Sequence, residues 1–546
     1  MDDLHAHYAG LVTGSYDCVD RIVINAYFGL GHNPGGFRVW WRRWHDDRDD
    51  SLDDAHLMRL AGRFARRVRA WAGANKVPVI SCRAGERKHR IAEDYLNTHT
   101  VGIGVFLILV AKAPATVWKV TRSNKTGRIQ NLEKTRQFVN HYCFHIMDPT
   151  WGHLVIKMSG HPPFGAQVIL NGHEYLAATA QQAGVGFVKE GNCFTGIGEP
   201  QRLAQIADTL SQPGAAGRLG QVIDAWIYTA CLCFGLDHAD QQNSCFHYNY
   251  SVYQLEYSRN LIFTSGRQME QLFDTIVDRT RTRLDIPTVR TLFGVGQRPR
   301  RPDPELSPRQ GVVIQHSEWN LTVFKIHFGL LTLKAYTKGE RVLRFEAIVH
   351  NTAALHTGRT LDKFAVVVTR LTGMVDRFTS LLDCVDTSFL TDGILDQLPQ
   401  PSQIGAVRVG GLDTNKPRTR AAMTAVTALA IAPDGFTVAD FATHVRHRTG
   451  TDYTVRQAAY DLRKLRGKQL VVKPGKSRRY QVPADAARTI TALTTLRDHV
   501  IEPVLAGARK PVGRPPNTYT RIDRDYDTLR ADLRTLFTDL GIHTAA

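Results

Sequence analysis

At 546 residues the chain is long enough for several domains with cores of their own. Hydrophobic residues make up 43% and charged residues 22%, a globular balance, and a net charge of +18 directs the chain towards polyanions. The eight cysteines include no CxxC pair and are too sparse for a disulfide scaffold, so free thiols are expected. The most apolar run, 101–111, is about half of the ~20 residues a spanning helix needs, which argues against a membrane partner.

Taken in chain order, the first part (1–125) reads as mixed α/β. Asp17 and Asp20 precede an apolar strand, 21–28, as a loop cap or as part of a metal site. A helix at about 55–72 carries an apolar stripe and a basic one, Arg59, Arg63, Arg66 and Arg67. That stripe suits phosphates, solvent, or neutralisation by the acidic stretch 40–54. Residues 77–81 read as a strand, 85–96 as a helix and 101–111 as a buried strand.

Residues 126–293 are expected to hold a histidine-rich sheet and helices. Alternation in 139–147 places His141, Cys143 and His145 on one face; a turn at 148–152 follows. In 153–161, His153, Lys157, Ser159 and His161 share a face. Gln167 joins that face from the next strand, and the helix from 171 opens with His173, Glu174 and Tyr175. Imidazoles on neighbouring strands can hold Mg²⁺, Mn²⁺ or Zn²⁺ beside a phosphodiester. The expected metal set is His141, His145, His153, His161 and Asp148. The expected catalytic set is His145, His153, Lys157, Glu174 and Tyr175, with tyrosine as a nucleophile. The bland alternative is a polar sheet face that binds phosphates or packs under a helix. This sheet, with paired strand histidines and a helix tyrosine, resembles rolling-circle replication initiators and related transposases. The resemblance implies metal-dependent strand cutting by a mobile element or replicon. The cluster Cys231, Cys233, Cys245 and His247 offers zinc ligands, but 217–236 reads as a buried helix that sets the first two apart.

A linker rich in Pro and Arg is expected at 294–311, then, in 312–398, antiparallel strands and a long helix at about 360–391 with an apolar stripe from Leu361 to Leu382. The hairpin with Tyr336, Lys338, Gly339, Leu343, Arg344 and Glu346 also resembles the Y-x-K-G…L-R-x-E element of phage and plasmid initiators. Alternatively it is a cross-strand salt bridge on a solvated face.

After a second linker (399–420), residues 421–486 carry the strongest signal. Thr437 with Asp440, and Thr454 with Gln457, mark two helix starts. The second helix, 455–466, shows Arg456, Gln457, Tyr460, Arg463 and Lys464; a basic hairpin follows with Lys473, Lys476, Arg478 and Arg479. Residues 404–482 hold 15 Lys or Arg against 5 Asp or Glu. This pattern resembles a winged helix-turn-helix, which implies that the second helix enters a major groove. In the tail (487–546), Gly513-Arg514-Pro515 resembles an AT-hook, with Arg514 in a minor groove.

The expected fold is therefore multidomain, α/β and α+β, with a mixed α/β N-terminal part, an antiparallel-sheet centre and a C-terminal winged helix. The expected activity is metal-dependent DNA cutting or strand transfer. The alternatives are a non-catalytic DNA-binding regulator and an RNA-binding or RNA-guided protein. DNA, RNA and a second copy of the chain are the expected partners. The acidic N-terminus without a signal-peptide pattern suggests a bacterial cytoplasmic, nucleoid-associated location.

Overall fold

The computed structural model describes residues 8, 10–283, 289–293, 312–316, 322–328, 330–386, 394–432, 435–475, 477–497 and scattered positions between 520 and 535. The expected linker 294–311, Lys476 and Arg514 lie outside them. Two compact units form. A sheet unit holds Tyr8–Phe273 and Arg290–Val375; a helical unit is built from the described residues of Asp274–Val289 and Asp376–Ala546. The fold is thus multidomain and mixes α and β. Among the described residues no helix is long and apolar enough to cross a membrane.

The strands of the sheet unit are β1 (Val12–Phe28), β2 (Val79–Ser81), β3 (Gly104–Arg122), β4 (Ile129–Asp148), β5 (Gly152–Ser159) and β6 (Ala166–Asn171). They continue with β7 (Phe187–Lys189), β8 (Phe194–Ile197), β9 (Tyr248–Phe263), β10 (Val289–Phe293), β11 (Val312–His316), β12 (Thr322–Phe328), β13 (Leu331–Lys338) and β14 (Val342–Val349). Among the described residues, twelve of these form one sheet in the order β10-β11-β12-β13-β14-β9-β1-β6-β5-β4-β3-β2. Only β7 and β8 stand apart, as their own hairpin. The boundary expected at 125 falls inside the β3–β4 hairpin, and strands on both sides of 294–311 join the same sheet. Composition marks neither fact, because pairing across a sheet leaves no local trace.

The helices of this unit include α1 (Pro34–Trp44), α2 (Asp54–Ala74), α3 (Lys88–Thr98), α4 (Gly172–Gln182), α5 (Pro200–Asp208), α6 (Ala215–Trp226) and α7 (His238–Asn243); α8 (Phe364–Asp386) begins in it and runs on past Val375. Asn33, Asp53, Asn171 and Asp237 cap α1, α2, α4 and α7 by accepting from backbone N–H groups of the first turn. The apolar stripe of α2, with Leu57, Leu60, Phe64 and Val68, is buried; Phe64 packs on Tyr142 of β4 and on Phe234. The apolar stripe expected for 361–382 is likewise buried from Phe364 to Leu382.

The helical unit contains α9 (Pro417–Leu429), α10 (Val438–Thr449), α11 (Val455–Gly467) and α12 (Ala484–Leu496), with a hairpin of β15 (Ser402–Ile404) and β16 (Val407–Val409). The expected linker 399–420 therefore contains regular structure: Gly405 takes φ 58°, which lets the chain reverse between two short strands.

Candidate functional site

The histidine hairpin forms with β4 opposite β5, pairing His145 with Val155 and Met147 with His153. His145 Nδ1 and His153 Nε2 lie 3.0 Å apart, one donating and the other accepting. Their face is not solvated. Helix α3 lies over it, and Ala92, Phe106, Leu107, Leu109 and Cys143 form a small core with Val155 and Met147 beside it. Burial pushes the His145 pKa down to about 3 and lowers that of His153, so both are neutral.

Of the remaining members of the expected sets, Glu174 is near enough to His153 to act on it electrostatically, and each has partners of its own. His141 lies beside Lys157, and its Nδ1 is 3.3 Å from the Val139 carbonyl. His161 Nδ1 is 2.9 Å from the Pro162 carbonyl, and Asp54 is the carboxylate that acts on it. Asp148 closes the turn: Oδ1 accepts from the N–H groups of Thr150 and Trp151, and Oδ2 accepts from Trp226 Nε1 at 2.7 Å. Glu174 accepts from Lys189 Nζ at 2.7 Å. Tyr175 is buried against Trp151, its hydroxyl 3.3 Å from Thr209 Oγ1. Among the described residues no three His, Cys, Asp or Glu side chains converge to hold a metal ion. Cys231 is buried, whereas Cys245 is exposed and His247 Nδ1 lies 3.3 Å from the Cys245 carbonyl.

The densest polar constellation lies elsewhere and is enclosed. Asp20 on β1, His173 at the start of α4, Asn260 on β9 and Arg344 on β14 are all at most 1% exposed. Asp20 Oδ1 touches His173 Nδ1, and its Oδ2 is 3.5 Å from Arg344 Nη1. Arg344 donates through Nε to Asn260 Oδ1 and through Nη2 to the Asn192 carbonyl, both at 2.6 Å. Arg344 Nη2 also approaches His173 Nε2 at 3.3 Å. A guanidinium only donates, so Nε2 accepts and the imidazole proton sits on Nδ1, facing Asp20. Burial opposes the charge on Asp20, but His173 and Arg344 together hold its carboxyl well below the usual range. Asp17, by contrast, receives Arg259 and the Tyr257 hydroxyl. Neither aspartate caps a loop. The four buried side chains tie β1, α4, β9 and β14 together as a clamp.

The clamp continues into the expected initiator-like hairpin. Tyr336 pairs with Arg344 and Lys334 with Glu346 across β13 and β14, and Lys334 Nζ lies 2.6 Å from Glu346 Oε2. This face is covered, not solvated: Glu346 is 3% exposed. Glu256 on β9 shares the region. Burial, and then the charge of Glu346, push its pKa up to about 7. A carboxyl raised above its unfolded value favours folding while protonated and disfavours it as pH climbs through about 4.5 to 7. Glu256→Gln is therefore expected to stabilise the protein at pH 8 by about 1–2 kcal/mol and to match wild type near pH 4. Denaturant midpoints at the two pH values check this, and an equal shift at both would refute it.

The basic stripe of α2 is partly consumed within the fold. Arg63 donates to the Gly235 carbonyl at 2.6 Å and reaches Asp240, and Arg67 pairs with Asp237; Arg59 and Arg66 stay exposed.

In the helical unit both expected capping boxes form, at Thr437–Asp440 and Thr454–Gln457. Gln457 is thereby turned back to its own helix start. Ala458, Leu462 and Leu465 bury one side of α11, while Arg418 and Tyr453 bond the buried Asp461 carboxylate at 2.7 Å each. Arg456, Arg463 and Arg466 are exposed at i, i+7 and i+10, and so form one stripe. Arg466 was missed from sequence, although helical spacing from Arg456 and Arg463 pointed to it. Tyr460 (48% exposed) holds Lys464 against its ring. After α11 the chain returns through single bridges, Val472 to Gln481 and Phe436 to Tyr480, presenting Lys473, Arg478 and Arg479 near this end. Lys473 lies over Tyr480, and Arg479 donates to the Gly435 carbonyl at 3.0 Å.

No family model, curated protein or solved structure matches this chain.

Proposed function

We propose that the protein binds duplex DNA, with α11 as the groove-entering helix of a winged helix-turn-helix. The observation that carries this reading is the Arg456–Arg463–Arg466 stripe on a helix locked by a capping box and packed from behind on Leu462 and Leu465. Three guanidiniums on one exposed helical face match the acceptors of guanine edges and phosphates. Lys473, Arg478 and Arg479 beside it supply phosphate contacts that set the orientation.

The test is fluorescence anisotropy of labelled duplexes over a range of salt, with the full chain and with Arg456→Ala/Arg463→Ala. Affinity should fall about 10- to 100-fold in the double variant, and the slope of log K against log salt should flatten by about 1 to 2. Unchanged affinity, or a preference for structured RNA over duplex, overturns the reading. The same samples with Mg²⁺ or Mn²⁺ examine strand cutting. Cleavage lost in His145→Ala/His153→Ala would place phosphodiester chemistry at the buried imidazole pair.

A further inference from the structure

On the sheet unit an open groove of about 680 Å³ runs over β4, β5, β6, β1 and β9, lined by Lys157, Arg359, His141, Gln167, Asn25 and Tyr27 among others. It contains no carboxylate. Lys157 is half-buried and Arg359 exposed, and both charged side chains that line the groove are positive. His141 is kept neutral by burial and by Lys157, which leaves it a hydrogen-bonding group. Gln167 Nε2 donates to Asn25 Oδ1 at 3.0 Å, and this amide pair still offers Gln167 Oε1 as an acceptor and Asn25 Nδ2 as a donor. Tyr27 is 39% exposed beside His32, which also lines the groove.

We propose that this groove binds a single-stranded polynucleotide, independently of α11. Lys157 and Arg359 take phosphates, Tyr27 stacks on a base, and the Asn25–Gln167 pair meets base edges. Amides aimed from a sheet surface and an exposed ring require bases that are unpaired, which selects a single strand over a duplex. A polymer is favoured over a small phosphate ligand because the positive track continues. Lys134 lies 3.3 Å from His32, and residues 112–138 of the β3–β4 hairpin hold seven Lys or Arg against one Glu. The proposal extends the nucleic-acid reading but uses different residues.

The experiment measures anisotropy of labelled twelve-residue oligo(dT) and oligo(U) with the full-length protein, with Tyr27→Ala, with Lys157→Gln/Arg359→Gln, and with Arg456→Ala/Arg463→Ala. Wild type should bind at least one oligonucleotide. Each groove variant should weaken that binding about tenfold and leave duplex affinity unchanged, whereas the α11 variant should do the reverse. The oligonucleotide that binds identifies the sugar. Tyr27 and Arg359 are exposed, so unchanged thermal unfolding is expected and separates lost contacts from lost structure. Absence of oligonucleotide binding by wild type, or equal binding by the groove variants, overturns the proposal. Failure of duplex binding alone removes the α11 reading and leaves this one standing.

Discussion

Arg344→Met destabilises the sheet unit by about 3–5 kcal/mol at neutral pH. Methionine fills much of the arginine's volume, so the loss is electrostatic. The Asp20 carboxylate stays 1% exposed and charged, without its guanidinium, and Asn260 and the Asn192 carbonyl lose their donor. Tryptophan fluorescence during guanidinium unfolding is the measurement, because the seven tryptophans among the described residues all belong to the sheet unit. Asp20→Asn added to Arg344→Met should recover a large part of the loss, since the stranded charge is gone. Asp20 is held below its unfolded value, so its contribution is complete above the ordinary carboxylate pKa of about 4 and declines as pH falls further. The gap between wild type and Arg344→Met should narrow there. A loss below about 1 kcal/mol at pH 7 would mean that the clamp does not hold the sheet together.

Gly172→Ala should cost about 3 kcal/mol or more, by a different route. Gly172 begins α4, and a Cβ there would sit 1.7 Å from the Val19 carbonyl oxygen. Both atoms belong to backbone, so no side chain can move aside. Helix α4 must lift from β1, and His173 moves away from Asp20 with it. Gly217→Ala in α6 is the control: a Cβ there meets nothing within 4 Å, so better helix propensity should stabilise by up to about 1 kcal/mol. The two substitutions are chemically identical. If both shift the unfolding midpoint equally, the close approach is not what matters.

What the sequence made legible was local. Both capping boxes, the apolar stripe of α8, the 148–152 turn and the pairing of Lys334 and Tyr336 with Glu346 and Arg344 depend on residues close in the chain. The Asp20–His173–Arg344 clamp does not: His173 and Arg344 are 171 positions apart, and only sheet order brings them together. One clue was present. Every residue of β14 is buried, and a strand apolar on both faces that still contains Arg344 and Glu346 must give them partners. Alternation alone left the Arg344–Glu346 face as an initiator-like element or a solvated salt bridge, and the His145 face as a metal site or a polar face binding phosphates or packing under a helix. It assigns residues to a face but is silent on what covers that face, and α3 covers the second.

Strand β1 pairs with β6 on one side and β9 on the other, and Asp17 meets Tyr257 across 240 positions. On a ribosome adding about 5–20 residues per second, roughly 5–20 s pass between completion of β6 and completion of β9. Through that interval β1 has one neighbour and offers a seventeen-residue unpaired edge. Nascent chains of this protein are therefore exposed to pairing with one another before β9 arrives, and slower translation of residues 172–263 lengthens that exposure.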